Sequence, residues 1–545
     1  MNKFLKKMEN RDKVTNFMGG VSYTVNPLDT LKMVSASSIF GEPSYYRNGE
    51  FGSGVVHDSA YSIHRLFAEY SIMGDKYAGL KTSDIMEKVI DEALDFDYEA
   101  TIRWAATLRH DYFMRLNPQI IMVRAASHPK RIDFTRRNPG AYAEINAQVM
   151  LRADEPASQL TYWLYKNTGK NKIPSLLKRS WASKLSSLSR YELYKYRNSG
   201  LGIIDTVRIC HANSAGIDEL MRTGVISMEE NELTWEMLRS SGEKWSDIIN
   251  KIDMPHMALL RNLRGIFEEI DDVAICQKVM GKLKDGVVKG KQFPFRYLSA
   301  MKAVESSDIH HKSIIMDTLE ECMDISAGQL PYLAGKTMCL SDNSGSAWGA
   351  LNSEYGTMTI AEIDNLSSVI TAKNSEDGYV GKFGDKLIIS PILKRNGILS
   401  QSKKITENKD KDVGGSTENG IWLFFDNAIH KKEHWDNIFI YSDQQAGHGG
   451  LYGTQNGINE YTAKGFATGR YIDVAKLITS YRMEVNPKVN IFSIQTAGYT
   501  NVCIPEYGYR TNILFGWTGK ELQFAKAMID FWNEMDDRNN KTPNA

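Results

Sequence analysis

Five cysteines in 545 residues leave this chain little with which to staple itself. Cys210, Cys276, Cys322, Cys339 and Cys503 are scattered, with no C-x-x-C and no paired spacing. That argues against a disulfide framework and a thiolate zinc site, and for a reducing compartment. Net charge is also missing, since 66 basic residues face 66 acidic ones. No apolar run approaches the roughly 20 residues of a membrane helix. The opening MNKFLKKMENRDK lacks the apolar core of a secretion signal. A soluble cytoplasmic protein with no membrane partner is expected. At this length one core is not enough, so two or three domains are expected.

The charge that cancels globally is concentrated locally. Residues 101–200 hold 18 Lys and Arg against 6 Asp and Glu. The stretch Leu176–His211 gathers Lys178, Arg179, Lys184, Arg190, Lys195 and Arg197, interleaved with Trp181, Tyr191, Tyr194 and Tyr196. It reads as a helical hairpin, turning at Asn198-Ser199-Gly200, with Asp205 suited to cap the second helix. Basic charge beside aromatics able to stack on bases is the footprint of a nucleic-acid surface; a merely solvated basic face is the plain alternative. Arg103, Arg109, Arg115, Arg124, Lys130, Arg131, Arg136 and Arg137 extend the field.

Hydrophobic spacing divides the chain. Residues 1–55 form a Gly-containing N-terminal arm. From 56 to 330, apolar residues recur at three and four, as in SDIMEKVIDEALD and MALLRNLRGIFEEI, which predicts an array of HEAT-like helical pairs or an irregular bundle. From 336 to 545, strands alternate with helices, which predicts a mostly parallel sheet covered on both faces. Sites in such sheets lie at the carboxyl ends of the strands.

The first of those strands ends in Asp342-x-Ser344-x-Ser346. This domain resembles the von Willebrand factor A type, whose metal-ion-dependent adhesion site (MIDAS) begins with such a loop. A hard cation such as Mg2+ takes oxygen ligands in an octahedral array. Two hydroxyls on one loop can supply two of them, with the Asp as ligand or anchor. The family completes its site with a Thr and an Asp from two further loops; Thr417 (or Ser416) and Asp443 match those positions. Such a site binds a partner's carboxylate, and no nucleophile or general base stands beside it, so a non-enzyme is expected.

The helical half, in GGVSYTVNP, SIFGEPSYYRNGE, KYRNSGLGIIDTVRICHAN and MPHMALLRNLRGI, resembles the TROVE module of the Ro 60 kDa RNA-binding proteins, whose domain order this chain also shares. The resemblance covers roughly residues 14–535. It implies a closed ring of helical repeats bridged by the von Willebrand factor A domain. Structured Y-like RNA would bind on an outer basic surface and single-stranded 3′ ends of misfolded RNA in the hole, as ribonucleoproteins serving RNA quality control. An exoribonuclease such as polynucleotide phosphorylase is the implied partner, and the protein itself a monomer. Lys195, Arg197 and His211 fall at positions resembling Y-RNA contacts, with Arg208, Lys178, Arg179, Lys184, Arg136 and Arg137 beside them. The segment from Lys195 to His211 is one residue shorter than the family phrase, which touches Arg197 most. Arg261 is placed toward the hole, whereas Arg264 can pair with Glu268 one turn on. Residues 347–356 and 446–470 are enlarged relative to the family, both expected at the metal face. A metal-dependent protein adaptor is the competing reading, and a nuclease a third.

Overall fold

Local capping signals open several helices. Asp97, Ser214 and Asp272 each accept a first-turn N–H, and Thr359 with Glu362 forms a capping box. The computed structural model describes residues 13–15, 21–23, 27–36, 82–112, 114–167, 172–196, 203–228, 233–349, 359–407, 413–414, 418–442, 451–452, 467–468, 471–472, 474–496, 509–515, 519 and 521–541. Most of the expected N-terminal arm lies outside these residues. So do Arg197, Ser416, Thr417 and Asp443, as well as most of the two enlarged segments.

The chain forms two compact units. One comprises Val25–Glu42 and Leu80–Leu238, and the other the remainder. The first begins with α1 (Pro27–Ala36), α2 (Thr82–Phe96), α3 (Tyr98–His110), α4 (Leu116–Ser127), α5 (Arg131–Arg137) and α6 (Ala141–Val149). It continues through α7 (Glu155–Lys166), α8 (Ser175–Ser186), α9 (Arg190–Tyr196), α10 (Ile203–Cys210) and α11 (Ala215–Thr223) to α12 (Trp235–Ser240). On α3 the buried positions Tyr98, Thr101, Ile102, Ala105 and Leu108 follow the expected spacing of three and four. α3 packs on α4 and α6, α4 on α7, and α8 on α10.

Inside this unit runs a buried amide network. Gln159 donates to Gln119 (2.7 Å) and Asn146 (2.8 Å), while its own oxygen accepts from Trp181 Nε1 at 2.8 Å. Buried polar groups are costly unless paired, so this network holds α4, α6, α7 and α8 in one register.

In the second unit, β1 (Lys13–Thr15) pairs antiparallel with β2 (Val21–Tyr23). Helices α13 (Trp245–Lys251), α14 (His256–Glu269), α15 (Val273–Asp285), α16 (Val287–Gly290), α17 (Pro294–Glu305) and α18 (Lys312–Ala327) precede the sheet. The sheet region is β3 (Leu333–Asp342), α19 (Gly345–Gly349), α20 (Ile360–Lys373), β4 (Ser375–Phe383), β5 (Leu387–Pro391), α21 (Ile398–Thr406), α22 (Glu418–His430), β6 (Asn437–Ser442), α23 (Val474–Glu484), β10 (Asn490–Gln495), β11 (Thr511–Phe515) and α24 (Glu521–Lys541). Between β6 and α23 lie the short strands β7 (Leu451–Tyr452), β8 (Ala467–Thr468) and β9 (Tyr471–Ile472).

The six-stranded order is β11-β10-β6-β3-β4-β5, parallel except for the edge strand β5. This is the expected doubly wound sheet. Its strands are apolar on both sides because both faces are covered. Met338, Leu340, Ile438, Ile440 and Ile491 pack with Ile421, Phe424, Phe425 and Leu477. The alternate residues Phe439, Tyr441 and Phe492 stack with one another, and Tyr441 bonds Thr371 of α20 at 2.7 Å. Gly378 is required where β4 passes α20, since a Cβ there would lie 1.9 Å from the Ala372 carbonyl oxygen. Among the described residues no helix is long and apolar enough to cross a membrane.

Candidate nucleic-acid interface

The basic stretch folds as α8, α9 and α10. The apolar residues Leu177, Trp181 and Leu185 of α8 are buried, which turns Arg179 outward and leaves Lys178 and Lys184 half-buried. Lys184 donates to the Leu151 carbonyl at 3.1 Å. α10 begins at Ile203, so Asp205 is the third residue of its first turn and not the cap. There it still favours the helix by facing the positive end of the dipole. Val207 and Cys210 face inward and Arg208 outward.

His211 terminates α10. Its N–H bonds the Val207 carbonyl at 2.7 Å, and its φ of 58° lies in the left-handed region, where residues other than glycine are uncommon. The side chain is thereby carried out of the helix and exposed. Two residues on, Asn213 N–H bonds Ser186 Oγ at 3.0 Å, which ties the segment after His211 to the end of α8. Burial pushes the Cys210 thiol up, opposed by backbone hydrogen bonds at Ala212 and Cys210 and then by the charge of Lys178. His211, Arg208, Lys178 and Arg179 therefore belong to one packed helix pair.

Lys195 stands on α9. Its Nζ bonds Tyr191 Oη at 2.9 Å, lies 5.3 Å from the same ring's centre, and is 3.6 Å from Glu236. The tyrosine hydroxyl, then Glu236, hold its pKa above the ordinary lysine value, so its charge is secure. Arg152 sits over the Tyr196 ring at 5.5 Å, and Arg190 pairs with Glu219 at 2.7 Å. Arg136 and Arg137 are exposed on α5, where Arg136 lies 3.6 Å from Asp133. Arg261, in the other unit, is exposed on α14, and Arg264 pairs with Glu268 at 3.5 Å as expected.

Some expected surface residues point inward. Trp181 is fully buried on Gln159, so it cannot stack on a base. Arg109 is buried on Glu155 at 2.8 Å and the Val149 carbonyl, and Arg124 spends its charge on Asp91 and Glu87. Composition counts such charges without seeing which face of the helix holds them.

In the sheet, the strand order reverses between β3 and β6, which places the crevice of the fold at their carboxyl ends. Asp342 is fully buried there. Its Oδ2 accepts from Ser442 Oγ at 2.5 Å and its Oδ1 from the Ser344 N–H at 2.9 Å. Asn343 points the opposite way, into a reciprocal amide pair with Asn365 of α20. Asn343 N–H bonds the Phe383 carbonyl at 2.8 Å, and Gly420, opening α22, presses on the Phe383 ring. Val413, at the start of the second loop, accepts from Lys386 N–H at 3.0 Å. Three loops thus start around one crevice. Ser346's side chain, Thr417, Ser416 and Asp443 lie outside the described residues. Among the described residues no group of three or more His, Cys, Asp and Glu is placed to hold a metal. The described donors, a buried carboxylate and a buried serine, are the oxygen type a hard cation takes. The partners Asn343 and Asn365 carry no motif and were not foreseen from sequence.

The arrangement defines a helical-repeat protein joined to a doubly wound α/β sheet, with a cationic helix pair in the helical part. Residues 221–330 match the TROVE domain family. The fold matches the crystal structure of Deinococcus radiodurans RO (RSR) protein with a TM-score of 0.59 at 14% identity, over 80% of this chain and 93% of that one. No curated protein matches the chain. The sequence resemblance to the Ro 60 kDa family is borne out by the TROVE segment and the shared fold together.

Proposed function

We propose that this chain is a non-catalytic RNA-binding protein of the Ro type. The observation that carries the reading is the packed pair α8 and α10, which presents Arg179, Arg208 and His211 on a TROVE-containing chain with the Ro fold. Lys178, Lys184 and Lys195 flank them, and Arg136 and Arg137 add phosphate contacts. Phosphate neutralisation supplies affinity and makes it steeply salt-dependent. A histidine lifted from its helix by left-handed backbone suits a base edge or a phosphate.

In this reading a small, structured Y-like RNA is held by Lys195, Arg197 and His211, and single-stranded 3′ ends of misfolded RNA are taken up elsewhere, with Arg261 among the contacts. The protein would serve RNA quality control in the cytoplasm as a monomer, working with an exoribonuclease such as polynucleotide phosphorylase. The test is to titrate a folded small RNA and a plain single strand against the chain and its Lys195→Ala/His211→Ala variant. Greater loss for the folded RNA supports this surface. Equal loss for both ligands means the surface is misplaced.

A second reading is favoured by Asp342, whose carboxylate is oriented by Ser442 and Ser344 at the mouth of the sheet. Asp342, Ser344, Ser346, Thr417 and Asp443 would hold Mg2+, which would grip an acidic side chain of a protein partner. Capture of a protein that is released by chelator, with no RNA dependence, would favour this adaptor role.

A further inference from the structure

A cavity of about 250 Å³ opens on the second unit, remote in sequence from the basic helix pair. Its wall is the last turn of α13 and the following segment, Ile249 to Met254, faced by Lys278, Val279 and Lys282 of α15. The floor is apolar, with Met254, Leu259 and Val279 all buried. The rim carries Lys251, Lys278 and Lys282 against one acid, Asp253, and so is cationic on balance. Residues 273–291 carry five lysines and one acid, so α15 and its continuation are strongly basic.

Lys278 and Lys282 are one turn apart on the same helix face, which aims both ammonium groups at the cavity mouth. Lys278 reaches Asn250 Oδ1 at 3.4 Å, a weak contact that an anion would displace. Lys282 pairs with Asp253, whose side chain is 95% exposed. Lys251 pairs with Glu243 at 2.8 Å, also near the surface. Exposed pairs of this kind contribute little, so they are easily exchanged for a doubly charged ligand. The volume falls just below the roughly 300 Å³ at which small-molecule sites begin, which suits one nucleotide and little more.

We propose that this cavity binds a single nucleotide, its base on the apolar floor of Met254, Leu259 and Val279 and its phosphate on Lys278 and Lys282. The chemistry is the same for a free nucleotide and for the terminal nucleotide of an RNA strand. The site is built from residues other than Lys195 and His211, and the proposal does not depend on their role.

The test titrates uridine 5′-monophosphate, uridine and a short 5′-phosphorylated oligouridylate into the full chain by calorimetry. The monophosphate is expected to bind roughly tenfold more tightly than uridine, as loss of a charged hydrogen bond implies. Lys278→Glu, on an exposed position that leaves the fold intact, is expected to remove that binding, and Lys278→Arg to retain it. Binding of the oligouridylate that is lost in Lys278→Glu identifies a strand end as the source, and binding of the monophosphate alone identifies a free nucleotide. Absence of binding by both phosphorylated ligands, or binding indifferent to Lys278→Glu, overturns the proposal. A folded RNA that still depends on Lys195 and His211 then leaves the RNA reading standing.

Discussion

Asn343 and Asn365 exchange side-chain amide hydrogen bonds at 2.8 and 3.0 Å in the interior of the sheet domain. Asn365 Oδ1 also accepts from Ser341 Oγ at 2.7 Å, and its Nδ2 reaches Thr406. The pair fastens the middle of the Asp342-Asn343-Ser344 loop to α20, so Asp342 and Ser344 are held by a neighbour turned the other way.

Asn365→Leu strands Asn343 Oδ1 and Ser341 Oγ without partners in the core and leaves Asn343 Nδ2 only the Ser341 carbonyl. A loss of about 1–3 kcal/mol is expected, read from the urea midpoint. Under the metal reading the variant also loses the rise in melting temperature that magnesium gives the parent protein. A variant as stable as the parent would show that the loop does not depend on this lock.

Arg109 and Glu155 make a different kind of buried contact. Burial pushes the Glu155 carboxyl above its ordinary value even though the N–H of Arg152 and the charge of Arg109 pull it down. The pair therefore recovers only part of the desolvation of its charges. Arg109→Met is expected to cost about 3–5 kcal/mol, because it leaves a buried carboxylate without its cationic partner. Adding Glu155→Gln, which keeps an acceptor for Arg152 N–H, should restore most of the loss in urea denaturation. A double variant as unstable as the single one would mean that packing, not charge, holds this site.

His256 gives the chain an acid-sensitive element. Its Nε2 is 2.8 Å from Tyr297 Oη, and Gly286 and Gly290 close over the ring so tightly that a Cβ at either would clash. Burial lowers its pKa, so the unfolded chain binds the proton more readily. Stability from this residue is full above the ordinary histidine value of about 6.5 and is lost as pH falls below it. His256→Gln is expected to flatten the fall in urea midpoint between roughly pH 6.5 and 5. An unchanged slope would place the acid sensitivity elsewhere.

The fold was legible where one period ruled. The runs around Met338 and Phe439 read as buried strands, and Ile438-Phe-Ile-Tyr441 is a strand with both faces covered. Pro174 and Pro255 mark the starts of α8 and α14, and Gly224 and Gly328 the ends of α11 and α18, while most other helices end on residues with no such signal. The charged surface was less legible, because sequence counts charge but not direction. Arg109, Arg124 and Trp181 fall on the inward faces of their helices, and only packing against α7 and its neighbours reveals it. The pattern Asp-Thr-Val-Arg permits a cap at Asp205, yet the helix already includes Ile203 and Ile204 before it. Asn365 is illegible in the sequence for a related reason. An asparagine in mid-helix has no motif, and its meaning lies in a partner 22 residues away.

The central claim is that the cationic helices α8, α9 and α10 hold a defined RNA. Its most direct test is to purify the protein from its native cells and sequence the RNA that accompanies it, beside the Lys195→Ala/His211→Ala variant. One abundant small RNA with a folded stem, lost in the variant, is the predicted result. Heterogeneous background RNA, unchanged in the variant, together with a protein partner that leaves on addition of chelator, would contradict it.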